Sequence, residues 1–244
     1  MIELRALPSE CAQRRSETAC STCGARAFSV CGSLEASDLA RLDALAQRTT
    51  LKADESLMRQ GDPARHLFNI TSGSVRVYKL LPDGRRQITG FLFAGDFLGL
   101  ATGAEYAFSA EAMEPATLCR FRRADYQALV RETPSLEAAL LERANHELAA
   151  AQNQMLLLGR KSAQERVASF LLDLPADPVQ PAPAGLVRLP MTRAEIADYL
   201  GLTIETVSRV LTKLKTTGAI RQISLHELRL EQPERLRALA DGEG

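Results

Sequence analysis

From about Leu51 to Phe121 the chain is a series of short apolar runs cut at close intervals by turn residues: Gly61-Asp62-Pro63, Ser72-Gly73, Pro82-Asp83-Gly84 and Ala94-Gly95-Asp96. Glycine, proline and aspartate at such intervals punctuate strands with tight turns. Period-two alternation is plain in Ser74-Val75-Arg76-Val77-Tyr78-Lys79-Leu80, and Pro82-Asp83-Gly84 suits a hairpin loop. Many short strands at close spacing predict a small antiparallel barrel or jelly roll.

Helical spacing surrounds this block. Ser37 precedes Leu39, Leu42 and Leu45, with Asp38 in the first turn, which predicts a short helix capped by Ser37. A second helix runs from Arg123 to Glu132 and stops before Pro134, and a longer one follows from about Ser135 to Gly159. In it Leu141, Leu148 and Met155 fall seven apart, with Ala144, Ala151 and Leu158 three behind each, which is an a/d seam. No charged residue lies between Leu148 and Gly159, unlike an ordinary solvated helix. Two readings stay open: this face packs on the barrel of the same chain, or it is a two-fold dimer interface built from Leu141, Leu148, Ala151, Met155 and Leu158. Ser162 to Leu174 is a further amphipathic helix, with Val167, Phe170 and Leu171 on its apolar side. The proline-rich run from Pro175 to Pro183 cannot continue it and predicts a loop into a C-terminal domain.

That domain opens on a capping box, Thr192 with Glu195 three residues on, and the helix it starts ends at Gly201. Thr203 caps the next, from Ile204 to about Thr217 before Gly218. Two short helices joined by a tight glycine turn predict a helix-turn-helix, whose second helix enters the major groove by its N-terminal residues. Arg209 suits guanine O6 and N7, and Glu205 suits cytosine N4. These two residues share one helix face, with Ser208 adjacent. Thr203, Arg193, Lys213 and Lys215 complete the basic and polar edge, and the stretches Ala219 to Ile223 and His226 to Leu230 predict a two-stranded wing. The bland alternative, a surface ion pair between Glu205 and Arg209, does not explain the ordered series of caps, turn and wing.

Thirty Lys and Arg balance thirty Asp and Glu over 244 residues, so overall charge indicates no partner. From Arg188 to Arg229, however, seven basic residues meet four acidic ones, a local excess that supports a polyanion partner only together with the motif. The first twenty residues lack the apolar core of a secretory signal, and no run is long enough to cross a membrane. A cytoplasmic protein without membrane contact is expected, in which thiols stay reduced. The three histidines, His66, His146 and His226, have no spaced partners, and no nucleophile–base or paired-carboxylate arrangement suggests an enzyme.

Clustered cysteines in such a setting point to metal or redox chemistry. Cys20, Cys23 and Cys31 read C-x2-C-x7-C, Cys119 lies far off in the strand-rich block, and Cys11 is the spare fifth. Residues 1–32 are otherwise polar and aperiodic and need a staple. Four thiolates select soft metals, zinc or iron–sulfur. Structural zinc sites show two close pairs, whereas here three ligands cluster and one is remote. Spacing leaves iron–sulfur, zinc and a purely thiol-based redox switch open.

The order of barrel, long helix and winged helix-turn-helix resembles the CRP/FNR family of bacterial transcription regulators over nearly the whole chain. The strings that carry the resemblance are Gly90-Phe91-Leu92-Phe93-Ala94-Gly95-Asp96-Phe97-Leu98-Gly99, Ser162-Ala163-Gln164-Glu165-Arg166-Val167-Ala168-Ser169-Phe170-Leu171 and Gly201-Leu202-Thr203-Ile204-Glu205-Thr206-Val207-Ser208-Arg209. The resemblance implies an α+β chain with four parts. Residues 1–32 form a cysteine-bearing segment, 33–133 an antiparallel β-roll or jelly-roll sensor domain, 134–160 a dimerisation helix, and 161–244 a winged helix-turn-helix DNA-binding domain. Cyclic-nucleotide-binding members carry a Glu after Gly-Asp-Phe and later an Arg for the phosphate; Leu100 and Phe108-Ser109-Ala110 stand there instead, so no cyclic nucleotide is expected. Cys20, Cys23, Cys31 and Cys119 match the FNR-type layout, which implies one oxygen-labile 4Fe–4S cluster per subunit, and Glu205-Thr206-Val207-Ser208-Arg209 matches the FNR-type reader of TTGAT-like palindromes. Double-stranded DNA, RNA polymerase (through a loop including Asp83-Gly84-Arg85) and a second copy of the chain are the implied partners. Some FNR-type members hold an Asp in the dimer helix that keeps the cluster-free form monomeric; Ala151 stands at the matching position.

Overall fold

A computed structural model describes residues 19–100, 103–174, 183 and 185–243. Cys11, and the loop expected between Pro175 and Pro183 except for Pro183 itself, lie outside the described residues. Eight antiparallel strands form two four-stranded sheets. The first pairs β1 (Gln47–Leu51), β8 (Ala116–Arg122), β3 (His66–Ser72) and β6 (Phe97–Leu98) in that order. The second pairs β2 (Ser56–Met58), β7 (Ser109–Ala112), β4 (Val75–Leu80) and β5 (Arg86–Leu92). The expected β-roll is therefore present, and the Pro82-Asp83-Gly84 hairpin closes with Leu81 N–H donating to Arg85 O. Between the sheets lies a core of Leu51, Met58, Phe68, Ile70, Val75, Val77 and Leu118.

A second core lies on the outside of the first sheet. It joins α1 (Ala36–Leu45), α2 (Arg123–Glu132) and the first turns of α3 (Pro134–Arg160) to Val30 and Leu34 of the N-terminal segment and to Leu67, Phe97 and Phe121. Helix α1 begins earlier than expected. Its N-cap is Glu35, which makes no side-chain cap bond, so Ser37 falls inside the first turn. Burial of Leu34 fixes where the chain enters the helix, and the local capping preference of serine does not override that anchor. Helix α3 is one unbroken element of 27 residues with proline in its first turn, where a missing N–H costs nothing.

The third core belongs to the C-terminal domain: α4 (Ala163–Asp173), α5 (Arg193–Leu200), α6 (Ile204–Thr216) and α7 (Pro233–Ala240) around Val167, Phe170, Leu200, Val207, Leu214 and Leu236. Capping boxes at Ser162 and Thr192 start α4 and α5, and Thr203 caps α6. Gly201 ends α5 at φ 61°, the left-handed conformation that makes the tight turn into α6. The wing has three strands rather than the two expected: β9 (Leu186–Arg188) adds to β11 (Glu227–Leu230), which also pairs β10 (Ile220–Ser224). A three-residue strand after a proline-rich run carries too short a pattern to be read. Helix α7, which packs on α4, was likewise not anticipated.

The two domains touch directly. The outer face of β4 and β5 meets α5: Arg76 donates to Glu195 Oε1 (2.7 Å), and Arg86 to Asp198 Oδ2 (2.8 Å). Phe91 packs against Tyr199 and Phe170. From the far end of α3, Gln154 donates to the carbonyl of Tyr199 (2.9 Å).

Candidate functional site

Three groups of side chains carry the sequence expectations: four cysteines, one face of α3 and the exposed edge of α6. The structure places the cysteines on the N-terminal segment and β8, the apolar face on α3 and the polar edge on α6.

Cys31 sits in a 3-10 turn (Val30–Ser33), following a second one (Arg26–Phe28). The Ser29 hydroxyl accepts from the Cys31 N–H (3.2 Å). Cys119 lies on β8, the strand second from the edge of the first sheet, and its side chain faces outward into the second core beside Cys20 and Cys31. Cys20, Cys31 and Cys119 are buried, Cys23 is half-buried, and all four are free thiols. The segment is held close by the Ala94-Gly95-Asp96 turn. Gly95 has φ 98°, and a Cβ there would lie 2.8 Å from the Phe28 carbonyl oxygen.

The thiols are neighbours by their mutual influence. Burial, then the Asp43 carboxylate and the charges of Cys31 and Cys119, push Cys20 up to about 12. Burial first, with Cys23 and Cys31 adding and Arg48 opposing, pushes Cys119 up to about 11. Burial also raises Cys31, against the hydrogen bond from Ser29. In the metal-free protein these three are neutral thiols, and a soft cation that binds them must displace the protons. The Cys20 thiol meanwhile donates to Asp43 Oδ1 (3.1 Å).

Two observations bear on what this set suits. Among the described residues, no three His, Cys, Asp or Glu side chains lie close enough to enclose a single metal ion. Beside the sulfurs, two buried polar atoms, Tyr126 Oη and Asn69 Oδ1, have no partner among the described residues, although buried polar groups are normally satisfied. A soft, sulfur-bridged centre spans more than a single ion and, held by these thiols, would offer an acceptor to the Tyr126 hydroxyl; Asn69 Oδ1, itself an acceptor, would need a donor instead.

The seam on α3 is not covered by its own chain. Leu141, Leu148 and Met155 are 63%, 58% and 65% exposed, so they do not pack on the barrel of their own chain. Ala151 is exposed between them and Leu158 is half-buried. The start of the same helix is buried against the cysteine core through Leu136 and Ala139. Arg143 pairs with Asp96, which follows Gly95, and with Glu147 (3.0 Å).

On α6, Glu205 and Arg209 are exposed and Ser208 half-exposed, and no ion pair joins the first two among the described residues. The surface-pair alternative is thus not realised. Arg209 donates to Thr206 Oγ1 (3.3 Å), Arg193 donates to Ser208 Oγ (3.3 Å), and Thr203 Oγ1 accepts from Thr206 N–H (3.2 Å). Backbone and Thr203 hydrogen bonds, then Arg209, hold Glu205 below the usual carboxylate range, so it stays an acceptor. Lys213 donates to Gln164 Oε1 (2.7 Å), which turns it toward α4 as well as toward solvent. Sequence reasoning missed the interdomain pair of Arg76 and Glu195. A signal existed: Arg76 alternates with core-facing Val75 and Val77, so it points to the face that α5 covers.

Comparison with known proteins bears on the same elements. Residues 48–133 match the cyclic nucleotide-binding domain family, and residues 165–239 the Crp-like helix-turn-helix domain family. The nitrogen fixation regulation protein FixK of Bradyrhizobium diazoefficiens is 44% identical over 91% of this chain and 93% of its own. The transcriptional activator protein FnrL of Cereibacter sphaeroides is 34% identical over 82% of this chain and 83% of its own. The solved structure of FixK2 from Bradyrhizobium japonicum superposes with a TM-score of 0.74 at 39% identity, covering 80% of this chain and 96% of that one. With a β-roll, a long helix carrying an uncovered apolar seam and a winged helix-turn-helix, and with relatives of this identity and extent, the chain belongs to the CRP/FNR family of transcription regulators.

Proposed function

We propose that this regulator is an oxygen-responsive transcription activator. Cys20, Cys23, Cys31 and Cys119 hold one 4Fe–4S cluster per subunit, and in that state two copies of the chain read a palindrome of TTGAT-like half-sites. The observation that carries the reading is the second core, in which Cys20, Cys31 and Cys119 share one buried cluster with Leu136 and Ala139 of α3. When bound, the cluster supplies an oxygen-reactive iron centre whose loss unties residues 20–31 from β8.

The protein residues convert that tie into a geometry. The turn bearing Cys31 packs directly on α3. Fixing it against Cys119 fixes the base of α3, and with it the pitch of the Leu141, Leu148 and Met155 seam toward its copy. Gln154 near the far end of α3 holds Tyr199 of α5, so the orientation of the seam reaches the reader. Glu205 and Arg209 then reach base edges, while Ser208 and Arg193 set the register of the helix. The two states must differ in dimer free energy by a few kcal/mol, on the order of 5 for a full switch.

Cyclic nucleotide is not the input. Leu100 is exposed and apolar and Ser109 is buried with its hydroxyl accepting from Gln60 N–H (3.0 Å), so the matching positions offer no cation to a cyclic phosphate. The exposed Asp83-Gly84-Arg85 hairpin is the surface offered to RNA polymerase. Fluorescence anisotropy on a labelled TTGAT palindrome tests the switch. Tight binding without oxygen, lost after exposure to air and restored by anaerobic cluster rebuilding, is expected. Equal affinity in both conditions would remove oxygen from the function and leave a zinc-bound or thiol-redox regulator.

A further inference from the structure

The cysteine on β8 is flanked by two hydrogen-bond donors. In strand register Cys119 stands opposite Arg48 on β1 and opposite Asn69 on β3. Residues directly opposite on neighbouring strands point to the same face of a sheet. Arg48, Cys119 and Asn69 therefore form one row across the first sheet, and the N-terminal segment lies over it. Each flanking donor reaches a different sulfur of that segment: Arg48 Nη2 stands 3.9 Å from Cys20 Sγ, and Asn69 Nδ2 stands 3.8 Å from Cys31 Sγ.

The plain structural explanations fall short. Arg48 pairs with Asp43 (2.7 Å), but that pair is half-exposed on the arginine side and contributes at most about 1 kcal/mol. Asn69 is 3% exposed in a strand whose neighbours Leu67, Phe68 and Ile70 are apolar, and its Oδ1 has no partner among the described residues. An unsatisfied buried amide costs about 1–3 kcal/mol, and a leucine would avoid that. A neutral thiol is also a poor acceptor, so the two long N–H to sulfur contacts offset little of the cost in the metal-free protein. They become strong when the sulfurs carry charge, because a donor to an ionised acceptor is roughly twice as effective. Metal-bound thiolates at Cys20, Cys31 and Cys119, which share their buried core with Phe97, Phe121 and Tyr126, would carry that charge.

We infer that Arg48 and Asn69 are positioning residues of the cysteine site: they donate to the sulfurs of Cys20 and Cys31 when metal is bound, orient the thiolates toward Cys119 and retain the metal. The inference rests on the reading of the four cysteines as a metal-binding set, but it holds for any thiolate-bound metal, whether or not that metal is an iron–sulfur cluster.

The test uses the full chain purified without oxygen, with iron, zinc and sulfide measured and metal release followed under EDTA challenge. Asn69→Leu and Arg48→Met are each expected to release metal about 10-fold faster than wild type, the lower end of what outer-shell partners contribute. Arg48→Lys, which keeps a cationic donor, should restore retention toward wild type. The thermal midpoint of metal-free Asn69→Leu should not fall, and the sulfur-to-metal absorption band of the metal-loaded variant should shift, neither of which a purely structural role produces. Wild-type retention in Asn69→Leu and Arg48→Met, in a protein that holds iron and sulfide, would overturn this inference and leave the oxygen-sensing proposal standing. Zinc in place of iron, with faster release in the variants, would remove the iron–sulfur reading and support this one. A chain that holds no metal would remove both.

Discussion

Replacing Arg76 with methionine should open the contact between the sensor and the reader without unfolding either. The guanidinium is 12% exposed and serves three carboxylates: Asp54 (76% exposed), Glu111 (22%) and Glu195 (7%). Desolvation works against its charge, and the carboxylates overcome this, so it stays cationic. The Asp54 arm is solvated and contributes about zero. Loss of one partner from a buried pair costs about 3–5 kcal/mol, because the other charge is stranded. Here that figure must be reduced. Glu111 keeps the Tyr78 hydroxyl (2.5 Å), and Glu195 keeps the Thr192 N–H and hydroxyl (2.7 and 2.9 Å). About 2–3 kcal/mol remains, a shift of roughly 30- to 200-fold in the docked-to-undocked ratio. Undocking lets water reach both carboxylates, so that is where the cost should appear. Hydrogen exchange should quicken across Arg86–Leu92 and Arg193–Leu200 and stay slow in the β-roll core. Glutamine suits the third helical position of a capping box, so Glu195→Gln keeps α5 intact. Arg76→Met in that background should cost about 1–2 kcal/mol less than alone. Additive effects of the two substitutions, or fast exchange throughout the β-roll, would refute the reasoning.

Other outcomes follow from the same geometry. Leu148→Asp places two charges face to face on the exposed seam and forfeits about 2 kcal/mol of burial per copy, so sedimentation should show a monomer with weak DNA binding, whereas an unchanged dimer would place the interface elsewhere. Gly95→Val forces a side chain against the Phe28 carbonyl at a φ of 98°, and the N-terminal segment should lift. Alkylation of Cys119 in the metal-free variant should then be faster than in wild type, and equal rates would show that the segment does not depend on this turn. Arg209→Ala should cost about 1–3 kcal/mol and relax selectivity at one base pair of each half-site, measured by competition with single-substitution duplexes; a uniform loss across all sequences would make Arg209 a phosphate contact.

The β-roll was legible because turn residues and period-two alternation are local signals, and the reader because its caps sit at fixed offsets from Thr192 and Thr203. The seam on α3 was legible as a pattern but not as an interface, since an a/d repeat looks the same whether its partner is a barrel or a second helix. Exposure of Leu141, Leu148 and Met155 excluded the barrel of the same chain. The row of Arg48, Cys119 and Asn69 was invisible, because strand register places residues about seventy and fifty positions apart in sequence side by side. Helix α1 was misplaced by two residues for a similar reason: the anchor at Leu34 is a tertiary contact, and a capping preference sees only its neighbours. The third wing strand escaped because three residues hold no period.

The central claim is that the four cysteines hold an oxygen-labile iron–sulfur cluster. The most direct test is the visible spectrum of anaerobically purified protein, with iron and sulfide content, before and after air. The account predicts a broad band near about 400 nm and about four irons and four sulfides per chain, bleaching within minutes of exposure. A colourless chain that carries zinc, with a spectrum indifferent to air, would contradict it.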